Sequence, residues 1–133
     1  MNGQYYDKNR TVTICDGHIS GLLGEAILKL FLKEELIKKN DNEFDITEKG
    51  WDELEIIGID TNKLQSIKRR IVSICFESKQ GILYEHIGSY LGVLLKDRVF
   101  ELGWMKKIDD YRYEITDKGL KGFESMGVRI KSL

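Results

Sequence analysis

Two segments of the chain carry apolar residues at three- and four-residue steps, which is the spacing of an amphipathic helix. Each segment follows a short, β-branched, alternating run, at 11–15 and 71–75, that predicts a strand ending in a cysteine. Asp16 or Gly17 is the expected cap of the first helix. Glycines in these segments cost about 1 kcal/mol each relative to alanine, so they predict the close approach of another backbone. The apolar positions are Ile19, Leu22, Leu23, Ala26, Ile27, Leu30 and Phe31, then Ile87, Tyr90, Leu91, Leu94, Leu95, Val99 and Leu102, and the glycines are Gly21, Gly24, Gly88 and Gly92.

Each amphipathic segment is followed by a pair of short apolar runs with a polar turn between them. The first pair spans 36–46 and the second spans 104–115, and each pair predicts a β-hairpin. Thr47 and Thr116 then stand where a helix N-cap is expected, each followed by an acidic residue that favours the first turn. Gly58 is predicted to end the first of these later helices.

The second half of the chain is a copy of the first. Thr-Val-Thr-Ile-Cys at 11–15 matches Ile-Val-Ser-Ile-Cys at 71–75, and Asp-Ile-Thr-Glu-Lys-Gly at 45–50 matches Glu-Ile-Thr-Asp-Lys-Gly at 114–119. The shift between matching positions grows from 60 to 69 residues, so the second copy carries an insertion.

These patterns predict an α+β fold of two tandem winged-helix-like repeats, each with a strand, a long helix, a β-hairpin and a helix, packed as one pseudo-symmetric domain. Residues 1–10 are a lead-in without periodicity, 11–60 form the first copy, and 61–133 hold a connecting helix and the second copy. The connecting helix is expected over 60–70, and the insertion, 77–84, is expected to be a loop.

Composition and charge narrow the class of protein. A chain of 133 residues has the length of one ordinary domain. No apolar run is long enough to span a membrane and no leader peptide is recognisable, so we expect a soluble cytoplasmic protein.

The net charge of −1 conceals an asymmetry between the two halves of the chain. Residues 1–60 hold 7 basic and 13 acidic side chains, whereas residues 61–133 hold 14 basic and 9 acidic side chains. Such polarity can attract an anionic partner or dock the two halves.

The two cysteines and two histidines of the chain, Cys15, His18, Cys75 and His86, occupy equivalent places in the two copies. Together they could complete a tetrahedral zinc site, with one Cys-His pair from each copy. The alternative is that the cysteines are small buried hydrophobes and the histidines pack beside a helix. A redox thiol pair is a third interpretation.

A catalytic cysteine needs an activated thiolate, an oriented base and a pocket. Cys15, Asp16 and His18 are neighbours in sequence, but nothing in their spacing provides these conditions. We therefore expect no enzyme activity.

Six basic residues of the second half are candidate phosphate contacts, and three of them lie on the second hairpin, in the position of a wing. The sequence pI near 6.1 is low for a dedicated nucleic-acid-binding domain, and a solvated basic face is the alternative. The six residues are Lys68, Arg69, Arg70, Lys106, Lys107 and Arg112.

The order of these motifs resembles the C-terminal region of ArsR-type winged-helix transcriptional regulators. In one branch of that family a Cys-Tyr-Asp-His-Leu-Ala-Gly motif is followed by a Cys-Leu-Asp-Trp stretch and a later His-Leu-Ala-Gly. The corresponding stretches here are Cys-Asp-Gly-His-Ile-Ser-Gly at 15–21, Cys-Phe-Glu-Ser at 75–78 and His-Ile-Gly at 86–88. The tryptophan of the second stretch is absent from this chain.

The resemblance implies an effector-sensing or dimerising module of a bacterial transcriptional regulator. The family's helix-turn-helix domain would precede residue 10, so the module would act on DNA through an attached or partner DNA-binding unit. Homodimer formation is a further expectation. Direct DNA binding by the basic second half and a role as a small protein-interaction adaptor are the alternatives.

Overall fold

A computed structural model of the chain describes residues 4–6, 10–41, 43–67, 71–79 and 81–131. The chain forms strands and helices in mixed order, so the predicted α+β class is confirmed. In chain order, the elements are β1 (Gln4–Tyr6), β2 (Thr11–Cys15), β3 (His18–Ile19), α1 (Gly21–Lys33), β4 (Ile37–Asn40), β5 (Glu43–Ile46), α2 (Glu48–Ile56), α3 (Thr61–Ser66), β6 (Ser73–Lys79), β7 (Ile82–Gly88), α4 (Ser89–Glu101), β8 (Met105–Lys107), β9 (Arg112–Ile115), α5 (Asp117–Met126) and β10 (Arg129–Lys131).

One succession of elements occurs in both copies: a strand pair, a 13-residue helix, a hairpin and a shorter helix. It comprises β2–β3, α1, β4–β5 and α2 in the first copy and β6–β7, α4, β8–β9 and α5 in the second. The predicted caps are confirmed, because Oγ1 of Thr47 accepts a hydrogen bond from the Gly50 amide at 3.0 Å and Oγ1 of Thr116 accepts one from the Gly119 amide at 2.9 Å. Such caps satisfy amides that have no partner within the helix.

The two copies do not form separate units, because strands and helices of each copy pack on elements of the other. The largest sheet has the order β3-β2-β9-β8, in which β2 of the first copy pairs antiparallel with β9 of the second. Helix α1 packs on β7, and α4 packs on β3. We call this contact between β2, β3 and α1 on one side and β6, β7, α4 and β9 on the other the seam.

The hydrophobic core extends across both copies. Leu54 of α2 and Phe123 of α5 occupy equivalent positions, and both are almost fully buried. The rings of Phe123 and Trp104 meet edge to face, with their centroids 5.1 Å apart. Since the core contains residues of both copies, their separation would expose apolar surface to water.

The long helices begin later than predicted. Ile19 and Ile87 belong to β3 and β7, so α1 begins at Gly21 and α4 at Ser89. Asp16 and Gly17 do not cap α1, because both have positive φ and form the tight turn between β2 and β3. Asp-Gly is a preferred sequence for such a two-residue hairpin turn.

The expected loop at 77–84 is mostly strand. β6 runs to Lys79 and β7 begins at Ile82, so the insertion lengthens a hairpin. The connecting helix is shorter than expected, since α3 ends at Ser66. β1 lies within the expected lead-in and pairs in parallel with β10, near the other end of the chain. The sequence pattern predicts neither strand.

Candidate functional site

The thiol groups of Cys15 and Cys75 meet at the seam, with their Sγ atoms 4.0 Å apart. Cys15 is the last residue of β2 and Cys75 lies within β6, so each copy contributes one thiol. Both cysteines are half-buried and neither forms a disulfide. Two residues that occupy equivalent places in sequence are thus neighbours in space.

Each histidine lies directly across its strand pair from the cysteine of its own copy. Cys15 is paired with His18 between β2 and β3, and Cys75 is paired with His86 between β6 and β7. Directly opposed residues of an antiparallel pair project to the same face. The two imidazole rings also approach each other, with centroids 5.7 Å apart. All four residues predicted from the sequence therefore lie in one region.

Each histidine side chain lies against the long helix of the other copy, His86 through its Cβ atom and His18 through its ring. A Cβ atom at Gly24 of α1 would lie 2.9 Å from Cβ of His86, and one at Gly92 of α4 would lie 2.8 Å from Cδ2 of His18. A side chain at Gly24 or Gly92 would also clash with the backbone carbonyl of Ile19 or Ile87, respectively, so the predicted close approach of a backbone at these two glycines is confirmed.

The four residues do not contribute equally to a cluster of donor atoms. Ligand atoms of Cys15, Cys75 and His86 all lie within 4.8 Å of one another. His18 does not belong to this group. Among the described residues, no other group of three or more cysteine, histidine or carboxylate side chains is close enough to share a metal ion.

Three ring nitrogens at the seam are buried and have no hydrogen-bond partner among the described residues: Nδ1 of His18 and both nitrogens of His86. His86 is fully buried, and 8% of His18 is exposed. A buried polar atom without a partner costs about 1–3 kcal/mol. Native proteins rarely leave such atoms without a partner, and a bound ion is one group that could satisfy these nitrogens.

Burial sets the protonation states at the seam. It is the main cause that raises the pKa of the Cys15 thiol to about 11, and the neighbouring Cys75 raises it further. Burial also lowers the pKa of both His18 and His86 from their ordinary value. At neutral pH the Cys15 thiol therefore keeps its proton, and the two imidazoles are neutral.

Glu77 links the two copies beside this cluster, and sequence reasoning did not select it because it lies in the expected loop. Its Oε1 accepts a hydrogen bond from the Gly21 amide, at the first residue of α1, at 2.6 Å. Its negative charge raises the pKa of Cys15 and opposes the lowering of the pKa of His86. A carboxylate is favourable at a helix N-terminus, where free amides and the helix dipole attract it.

The basic residues of the second hairpin are all paired with carboxylates of that hairpin. Lys68, Arg69 and Arg70 lie outside the described residues. Exposed ion pairs contribute about 0–1 kcal/mol, so a phosphate could replace these carboxylates. The three pairs are Lys106–Glu114 at 3.1 Å, Lys107–Asp110 at 2.9 Å and Arg112–Asp109 at 2.9 Å.

A cavity of about 490 Å³ lies where α1, α2, α4 and α5 approach one another. Its walls are mainly apolar and come from both copies, with Leu30 and Ile57 from the first and Leu102 and Trp104 from the second. Arg98 crosses between the copies here, because its Nε donates a hydrogen bond to the Ile57 carbonyl at 2.6 Å. Small-molecule sites typically measure about 300–1,000 Å³, so the size suits a small ligand.

None of the described helices has the length and apolar character needed to cross a membrane.

Comparison with known proteins gives one informative similarity. Over 111 residues the chain is 25% identical to the uncharacterized HTH-type transcriptional regulator YdfF of Bacillus subtilis (strain 168). The match covers 83% of this chain and 48% of YdfF, so the chain spans about half the length of this curated relative. No family model matches the chain, and no solved structure matches it. The similarity is thus a distant one to a protein named as a transcriptional regulator.

Proposed function

We propose that this chain is the effector-sensing module of a bacterial ArsR-type transcriptional regulator and that it acts through an attached or partner helix-turn-helix unit. The distant similarity to YdfF, a protein named as an HTH-type transcriptional regulator, supports a regulatory role. The ordered cysteine, histidine and glycine motifs support the ArsR-type assignment. On this interpretation each copy is a winged-helix-like unit, with the β-hairpin as its wing.

The observation that carries the proposal is the 4.0 Å approach of Cys15 and Cys75, because these thiols come from different copies. An effector that binds both thiols contacts both sides of the seam. Its binding energy then depends on how the two copies are packed. An effector that binds one packing of the two copies more tightly than another shifts the equilibrium toward the packing that it binds better. An attached DNA-binding unit would respond to that shift.

The chemistry of the seam favours sensing over catalysis. A nucleophilic cysteine acts as its thiolate, and active-site cysteines usually have a lowered pKa. The Cys15 thiol has the opposite property, since its pKa is raised to about 11. We therefore propose that the chain is not an enzyme.

Transcript profiling in the organism that encodes the chain tests the regulatory role. We expect deletion of the gene to change a restricted set of transcripts, and we expect a Cys15→Ser, Cys75→Ser double variant to change their response to an effector. Ser78→Ala is a matched control, because Ser78 lies on β6 but is exposed. An unchanged transcript profile after deletion, in cells that normally produce the protein, would contradict a regulatory role.

A second experiment separates sensing from direct DNA binding and from dimerisation. The purified chain is titrated into labelled duplex DNA at low salt, and its mass is measured by light scattering. Binding that weakens steeply with salt, and that Lys106→Glu with Lys107→Glu abolishes, would favour the direct DNA-binding alternative. A stable dimer without DNA or effector would favour the dimerising alternative. A monomer that does not bind DNA agrees with a sensing module that acts through another unit.

A further inference from the structure

We propose that Cys15, Cys75 and His86 bind one Zn²⁺ ion across the seam and that His18 is not a ligand. The inference names the effector of the site described above, so its regulatory purpose rests on the proposed function. The ion would join β2 of the first copy to the β6–β7 hairpin of the second.

The distances fit this ion closely. Zinc lies about 2.3 Å from thiolate sulfur and about 2.0–2.1 Å from imidazole nitrogen, which places two sulfur ligands of a tetrahedral site about 3.8 Å apart. The Sγ atoms of Cys15 and Cys75 are 4.0 Å apart. The three donor atoms all lie within 4.8 Å of one another. Side-chain rotation would have to bring the imidazole nitrogen and the two sulfur atoms closer together to close the site.

His86 has a buried ring that needs a partner. Both of its nitrogens are enclosed and form no hydrogen bond with the described residues. Zinc would bind one of these nitrogens, which removes part of the cost of burying the ring. The backbone holds His86 directly across from Cys75, so two of the three ligands are arranged before any ion arrives.

His18 does not lie close to both thiols, although it is the sequence equivalent of His86. Its ring lies over the start of α4, where Cβ atoms built on Gly88 and Gly92 would lie 3.5 Å and 2.8 Å from its carbon atoms. The symmetry of the sequence thus predicts four ligands, whereas the packing brings three together.

The donor set selects the class of ion. Thiolate and imidazole ligands suit zinc and other thiophilic ions, whereas Mg²⁺ and Ca²⁺ prefer oxygen ligands. Two thiolates and a neutral imidazole balance the charge of Zn²⁺. Binding displaces the thiol protons to solvent, and no electron is transferred. Three protein ligands leave the fourth tetrahedral position for water or an exogenous donor, as in zinc sites that remain open.

The test is a titration of the reduced full chain with Co²⁺, followed by competition with Zn²⁺. Co²⁺ reports thiolate coordination through its charge-transfer absorption and tetrahedral geometry through its visible bands. We expect one equivalent to bind with a thiolate band, and Zn²⁺ to displace it. We expect Cys15→Ser, Cys75→Ser and His86→Gln each to weaken Zn²⁺ binding by at least about tenfold, since even second-shell changes cost about 10–100-fold.

His18→Gln is the matched control, with the same chemical change at the equivalent position of the other copy. We expect its Zn²⁺ affinity to stay within about threefold of the wild type, well below the loss expected for a ligand. Circular dichroism checks that each variant folds, and Cys75→Ser replaces His86→Gln as the decisive variant if the latter unfolds. The absence of a thiolate band, or an equal loss of affinity in His18→Gln and His86→Gln, would overturn the proposed site.

The two proposals can fail separately. Stoichiometric zinc binding with an unchanged transcript profile after gene deletion would keep the metal site and reject the regulatory role. A changed transcript profile in a protein that does not bind zinc would keep the regulatory role and reject the metal site.

Discussion

The Sγ atoms of Cys15 and Cys75 lie 4.0 Å apart, although 60 residues separate them in sequence. A disulfide requires about 2.05 Å, so side-chain rotation must bring the two sulfur atoms closer before the bond can form. We expect diamide, which accepts two electrons and two protons from the two thiols, to form this disulfide within one chain. Mass spectrometry of a digest would show the linked peptide pair.

A disulfide that closes a loop of this length can stabilise the fold by up to about 4 kcal/mol, so the oxidised chain should unfold at a higher urea concentration. Cys15→Ser should give no intramolecular product. Cross-links found only between different chains would contradict the contact at the seam.

Gly24→Ala and Gly92→Ala should destabilise the protein, although alanine is normally better than glycine in a helix by about 1 kcal/mol. The added methyl group would clash with the carbonyl oxygen of Ile19 at Gly24 and of Ile87 at Gly92, and it would also press on Cβ of His86 or on the ring of His18, respectively. Overpacking of this kind costs about 1–3 kcal/mol, which urea unfolding can measure.

Gly81→Ala tests a different cause of destabilisation, because a Cβ atom at Gly81 would meet no atom within 4 Å. Its positive φ alone predicts a loss of roughly 1–2 kcal/mol. An increase in stability for Gly24→Ala or Gly92→Ala would show that α1 and α4 do not pack as closely on β7 and β3 as described.

Arg98→Ala should lower the free energy of unfolding by about 1.5–3 kcal/mol, the usual contribution of a hydrogen bond to a charged group. Its Nε donates to the Ile57 carbonyl at 2.6 Å, which ties α4 of the second copy to the end of α2 in the first. Arg112→Ala is the matched control, because Arg112 pairs with Asp109 on an exposed hairpin, and we expect a change below about 1 kcal/mol. Equal losses in the two variants would contradict the bridging role of Arg98.

Stability should fall as the pH is lowered below about 6.5, the ordinary pKa of histidine. Burial lowers the pKa of His18 and His86 in the folded protein, against the opposing charges of Asp16 and Glu77, respectively. Lys96 reinforces the shift at His18, and each imidazole faces the other. Between the folded and unfolded pKa values, the unfolded chain binds more protons, so stability rises with pH in this window.

Urea unfolding at pH 7.5 and pH 5.5, with a chelator present, measures this dependence. The double variant His18→Gln, His86→Gln should lose less stability over the same interval, because both titrating groups are gone. Carboxylates titrate in both proteins, so the difference between the two slopes isolates the histidines. Parallel slopes would contradict the burial of neutral imidazoles.

Local features of the fold could be predicted from the sequence because their physical causes are local. Thr47 and Thr116 cap helices through amides three residues ahead, so a short stretch of sequence is sufficient. The prediction that Asp16 or Gly17 caps α1 is wrong, because the same residues favour both a helix start and a tight hairpin turn. Only the pairing of β2 with β3 distinguishes them.

Long-range features could not be predicted in this way. The pairing of β2 with β9 joins residues about 100 positions apart, and nothing in the alternation of Thr11–Cys15 specifies that partner. The repeat identified Cys15, His18, Cys75 and His86 as a group. It implied equal roles for the two histidines, whereas packing against the glycines of α1 and α4 places only His86 near both thiols.

The exchange of strands and helices across the seam has a thermodynamic consequence. Each copy covers surfaces that the other leaves open, since α1 packs on β7, α4 packs on β3, and β2 completes the sheet of β8 and β9. Two separate chains of one copy each could make these contacts only by dimerising, at a cost that depends on their concentration. The covalent link through α3 replaces that bimolecular step with an intramolecular one of high effective concentration. The copies therefore stay paired however dilute the protein is.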